Sequence, residues 1–259
     1  MISTPNTAVS ATAAAPPAPH DPQRIVLGLL MAIGKNNPDT LRPRLQSMRD
    51  AGMDINSIRQ NAWPEQWGAL RPTQPGKSPR NMTLLQEAVM ASSARGASGS
   101  VNPDTRANRD VRVIKLLLEF GADVDARDLG ADTALFHAAY ANHAGACTAL
   151  VAAGARVDLR NKANLCPLHA AAHNDCPDAC LALIEAGADP LAQNTAGHTP
   201  ADHAIEVARR KKKDRSKIPE SAGVLRAAEM QAQLALAMRP KKKRSAPSPA
   251  PARPRRPSL

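Results

Sequence analysis

The chain has 259 residues, 43% of them apolar but only 2% aromatic, and a formal net charge of +11. A core built from Ala, Leu, Val and Ile with so little aromatic bulk suits closely spaced helices and argues against a sandwich or barrel. The charge is uneven: residues 209–259 hold sixteen Lys or Arg against three acids, so a nearly neutral body carries a basic tail.

In chain order, residues 1–23 (MISTPNTAVSATAAAPPAPHDPQ) lack a positive n-region and a continuous apolar run. They read as a disordered segment and not as a signal peptide of the general secretory route. No window approaches eighteen apolar residues, so no membrane span is expected. Four scattered cysteines without an export signal predict reduced thiols in a cytosol-like compartment. RIVLGLLMAIG from Arg24 and DTLRPRLQSMRDAG predict a first pair of helices, and NMTLLQEAV predicts another from Thr83. VIKLLLEFG, apolar at Val113, Ile114, Leu116, Leu117 and Leu118, predicts a helix stopped by Gly121. TPADHAIEVARRKKK and PESAGVLRAAEMQAQLALAMR predict two closing helices, the last ended by Pro240.

A period runs through the middle of the chain. EFGADVDARD, AAGARVDLRN and EAGADPLAQN place Gly121, Gly154 and Gly187 at intervals of 33 residues. Twelve residues after each glycine come TALFHAA from Thr133, CPLHAAA from Cys166 and TPADHAI from Thr199. A fixed period of this length signals stacked units, because one unit cannot bury its apolar face alone. Upstream, Thr83 lies 50 residues before Thr133, which implies a 17-residue insertion near 92–108. Gly52 lies 31 residues before Thr83, which implies a 19-residue insertion near 57–80 that contains Trp63 and Trp67.

The elements CPLHAA and EAGADP, repeated in register, resemble the ankyrin repeat, whose unit opens T-P-L-H-x-A and ends G-A-D-V-N. The resemblance implies an all-α solenoid of about five helix-turn-helix units with hairpin-like loops, spanning 24–239. The first unit is degenerate, and tails flank the stack at 1–23 and 240–259, the latter disordered as well. It also implies that Cys166 and His169 fix the loop onto a first helix, and that Cys176 replaces a histidine found at His143 one unit earlier.

The stretch CPLHAAAHNDCPDAC, Cys166 to Cys180, admits other readings. His169 and His173 are spaced i, i+4 on a helix, and two thiolates nearby could complete a tetrahedral zinc site. A Cys176 and His173 nucleophile pair is conceivable, although no oxyanion donors are identifiable. Against both, Cys166, His169, Cys176 and Cys180 all have structural addresses in the repeat register. Cys147 and Cys180 hold equivalent positions in adjacent units, ~10 Å apart by helix-packing distance, too far for a disulfide. No phosphate-loop, dinucleotide, zinc-protease or serine-hydrolase motif occurs. The expectation is a chain that is not an enzyme, with no metal and no cofactor.

Binding remains. Stacked repeats present a concave face made of loops and the outer side of the first helices. Loop-tip candidates are Arg127, Asp128, Arg160, Asn161, Lys162, Asn194 and His198. On the first helices, His137 and His203 share one outward position, and Tyr140 and His173 share another. Trp63 and Trp67 are either contact anchors or a cover for one end of the stack.

The tail holds Arg209, Arg210, Lys211, Lys212 and Lys213, and then Lys241, Lys242, Lys243 and Arg244 in PKKKRSAP. The second run resembles a nuclear localisation signal that would fit an import receptor; salt-dependent polyanion binding is the competing reading. The primary expectation is therefore a monomeric protein-protein interaction module, cytoplasmic or nuclear. Its layout resembles a bacterial effector delivered into a host cell without a cleaved signal peptide. A nucleic-acid or chromatin-associated protein tethered by its tail is the alternative.

Overall fold

The computed structural model describes residues 22–35, 37–58, 81–94, 111–210 and 219–237. Most of segment 1–23, the loop with Trp63 and Trp67, all but the first three residues of the expected 92–108 insertion, Lys211–Lys213 and the run Lys241–Arg244 lie outside those residues.

Among the described residues the chain forms ten α-helices: α1 (Pro22–Gly34), α2 (Pro38–Asp50), α3 (Leu84–Ala94), α4 (Arg112–Glu119), α5 (Ala134–Tyr140), α6 (Ala144–Ala152), α7 (Pro167–His173), α8 (Pro177–Glu185), α9 (Pro200–Arg210) and α10 (Glu220–Ala237). They pair as α1/α2, α3/α4, α5/α6, α7/α8 and α9/α10, and first helices pack on first helices while second helices pack on second. The all-α, stacked-repeat expectation holds.

Helices of seven to nine residues are too short to persist alone in water, so each depends on its caps and on its neighbours. Thr83 and Thr133 start α3 and α5, their hydroxyls accepting from the Gln86 and Phe136 amides at 3.3 and 3.2 Å. The Thr199 hydroxyl does the same for the Asp202 amide at 3.3 Å. The second helices end at Gly52, Gly121, Gly154 and Gly187, whose φ values are +69°, +86°, +93° and +87°. A Cβ at any of them would touch nothing within 4 Å. The glycines therefore serve the left-handed backbone and not a close approach.

The core runs the length of the stack in rows one period apart. Leu85, Leu135 and Leu168 are fully buried on the first helices, and Leu117, Leu150 and Leu183 on the second. Each contributes roughly 1.5–3 kcal/mol relative to exposure. Ile114, Cys147 and Cys180 fill a third row, also buried. All four cysteines are buried and none forms a disulfide. Alanines at 138, 139, 170, 171 and 172 are buried as well, keeping neighbouring first helices close. None of the described helices is long and apolar enough to cross a membrane.

Candidate protein-interaction face

The loops between units share one construction. Asp128, Asn161 and Asn194 stand one period apart, and each side-chain oxygen accepts two backbone amides. Asp128 Oδ1 takes Gly130 and Asp132, Asn161 Oδ1 takes Ala163 and Leu165, and Asn194 Oδ1 takes Ala196 and His198, all at 2.8–3.1 Å. Within each turn Ala131, Asn164 and Gly197 adopt φ of +61°, +58° and +75°. Adjacent loops are then joined. The Lys162 amide donates to the Gly130 carbonyl at 3.0 Å, Asn161 Nδ2 to Asp132 Oδ1 at 2.8 Å, and Arg160 Nη1 to the Gln193 carbonyl at 2.7 Å. The loops thus form a pre-organised ribbon along one side of the stack.

Beneath that ribbon lies a set of buried polar locks. Gln86 Nε2 donates to the Asp132 carbonyl at 2.9 Å, and His169 Nε2 lies 3.2 Å from the carbonyl of His198, the residue equivalent to Asp132 two periods on. Cys166 Sγ is 3.0 Å from His169 Nδ1, so Cys166 and His169 fix loop to helix as the repeat register implies.

Two residues expected on the surface are inside. His137 is 3% exposed and Asp128 8%, with His137 Nε2 3.1 Å from Asp128 Oδ2. Burial pushes the Asp128 carboxyl up, but the His137 bond and the Asp132 and Gly130 amides together hold it below its ordinary value. Glu87, half-buried on α3, is pushed up by its own burial and drawn back by His137. His137 is thus held inward by the Asp128 carboxylate, with Glu87 close enough for its carboxyl to be drawn down by the imidazole.

Asp128, Asp132 and His137 form the one grouping of metal-ligand spacing among the described residues. Their oxygens already accept two amides, an imidazole and the Asn161 side chain, which makes them a loop lock. The residues of 166–180 form no such group. Burial also raises the Cys147 thiol to about 12 and raises Cys166 and Cys180, which removes thiolate chemistry at neutral pH from those three.

The outward row lies seven residues after each helix-opening position: Met90, Tyr140, His173 and Glu206. Met90 and Tyr140 are 39% and 44% exposed, and His173 is half-buried. The Tyr140 and His173 rings stack at 6.1 Å with 26° between planes. His173 Nδ1 lies 3.3 Å from His203 Nε2, and the His203 ring lies 5.9 Å from that of His169. Tyr140, His173 and His203 therefore come together as a continuous aromatic strip over three first helices. Arg127 and Lys162 are exposed at the loop tips, Arg160 and His198 are half-buried, and Arg209 and Arg210 are exposed, Arg210 paired with Glu206 at 2.9 Å. Met90 and the loop-tip Leu129, 52% exposed, were not foreseen from sequence. Met90 could have been found by counting seven residues from Thr83.

Short paired helices, a conserved backbone turn every 33 residues, and neighbour-only packing define a helical-repeat solenoid. Residues 105–206 match the family model for ankyrin repeats in three copies, and that stretch consists of ankyrin repeats. No curated protein matches the chain.

Proposed function

We propose that the protein is a non-catalytic interaction module that binds another protein through the loop ribbon and the first-helix strip. The observation that carries this reading is the outward row of exposed Met90 and Tyr140 with half-buried His173. An apolar side chain and two stacked rings are presented beside rigid loops, in a repeat family that serves protein binding. Large, stiff aromatic side chains lose little conformational entropy on contact and are favoured anchors. Arg127, Arg160, Lys162 and His198 would supply the polar rim. The basic runs at 209–213 and 241–244 would act as an address or polyanion tether. The target would then be a protein of a eukaryotic host, as the layout of tail and repeats implies.

A photo-crosslinking residue placed at 140 tests the reading, against one at the exposed Leu181 on the second helices. Adducts with one discrete partner from 140 and none from 181 are expected. Adducts from 181 alone would reject the face. Tyr140→Ala should weaken the same partner about tenfold or more with little change in melting.

A further inference from the structure

Inside the proposed binding face, three imidazoles from two neighbouring repeats lie against one another. His173 closes α7 and His203 lies on α9, with Nδ1 and Nε2 3.3 Å apart and ring centroids at 5.5 Å. His169, from the buried side of α7, meets the His203 ring edge-on at 5.9 Å. A neutral imidazole offers one donor and one acceptor, so an N–H···N bond between His173 and His203 requires one bare nitrogen.

Among the described residues, the strongest influences on His203 supply no negative charge. After its own burial, these influences come from His169, His173, His198 and Arg210, every one an imidazole or a cation. From α5 the neighbour is the Tyr140 ring, stacked on His173. On α9, Asp202 is turned to Thr199 and to Arg226 of α10, and Glu206 is turned to Arg210. From α10, Arg226 is itself held between Asp202 and Glu229. On α8, Asp178 is bonded to Asn142.

We infer that the His173–His203 contact is a proton-operated latch on the binding face, closed while the accepting nitrogen is bare and released when that nitrogen is protonated. The inference rests on the proposed function for its effect on binding, though not for the latch itself. Proton uptake at the accepting nitrogen would leave two N–H groups facing each other at 3.3 Å. It would also add charge beside His169, His198 and Arg210. Burial and these neighbours push His203 down to about 4, from an ordinary value of 6.5. The unfolded chain therefore binds more protons between those values, and the latch's contribution is lost as pH falls through that window.

Thermal melts of the full chain between pH 7.5 and 4.5 test this, with His203→Gln and His173→Gln as comparisons that keep a neutral polar group. The wild-type melting temperature should fall by several degrees more than that of either variant. Equal falls in all three proteins would overturn the latch. Ring-nitrogen NMR on the wild-type protein provides an independent reading: His203 should titrate well below the free imidazole, and titration at 6.5 or above rejects the proposal. Crosslink yield at 140, compared at pH 7.5 and at pH 4, where His203 takes up its proton, should drop at the lower pH if the latch governs the face. An undiminished yield would overturn that regulation. A functioning latch with no adduct at either pH would instead count against the binding reading.

Discussion

Cys166 stands one period after Thr133 in nearly the same backbone conformation, ψ 168° against 170°, yet only the Thr133 side chain caps its helix. The Thr133 hydroxyl accepts the Phe136 amide, whereas the Cys166 thiol turns to His169 and leaves the helix without a side-chain cap. Sulfur is a weak acceptor, so the position has lost a cap without losing its geometry.

Cys166→Thr should therefore stabilise the protein. A restored N-cap contributes ~1 kcal/mol, which at this size corresponds to a rise in melting temperature of about 2–4 °C. A lower melting temperature, recovered on adding zinc, would show that the thiol serves a metal instead.

Ala131 holds a left-handed backbone, φ +61°, at the place where the next two loops carry Asn164 and Gly197. A left-handed conformation costs an ordinary L-residue roughly 1–2 kcal/mol, partly offset by the greater freedom of glycine in the unfolded chain. Ala131→Gly should stabilise by about 0.5–1 kcal/mol in chemical denaturation. Gly154→Ala, at φ +93°, should destabilise by about 1 kcal/mol or more under the same conditions.

Asp128 serves two amides with one oxygen and His137 with the other. Asp128→Ala should cost about 2–4 kcal/mol, because it orphans buried donors and an imidazole together. Asp128→Asn should cost less, since Asn161 and Asn194 hold the same two amides in their own loops. The Asp128 carboxyl titrates lower folded than unfolded. Its stabilisation is present above the ordinary carboxylate value and is lost as pH falls through the folded one. Urea midpoints at pH 7 and pH 3 should separate wild type from Asp128→Asn more widely at pH 7.

His169→Phe would copy Phe136, the equivalent residue one repeat earlier. It should cost about 0.5–1.5 kcal/mol, because the His198 carbonyl loses one of its two partners and keeps the Asn194 amide. Hydrogen exchange should then quicken at Asn194 and His198, whose mutual bonds frame that loop. Unchanged exchange there would show that the loop does not depend on the imidazole.

The repeat was legible because it is enforced by backbone geometry. Gly121, Gly154 and Gly187 are the residues that most readily make a left-handed turn, and the Leu rows recur because each helix must meet the next. The face was less legible. His137 and His203 share an address, but one is drawn inward by Asp128 and Glu87 while the strongest neighbours of the other are imidazoles and Arg210. No spacing rule reports which loop side chain reaches which helix. Met90 carries no polar or aromatic signature, so only its register, seven residues after Thr83, marks it as outward.

The loop-to-loop bonds have a consequence for how damage spreads. Asn161 ties its loop to the one before through Asp132, and Arg160 ties it to the one after through Gln193. Loosening that single loop should unzip contacts on both sides but reach no farther than the adjoining units. The stack would then open around the break, as a bound row of pages loosens around a cut thread, with the repeats on either side of that loop lost while the outer ones still hold.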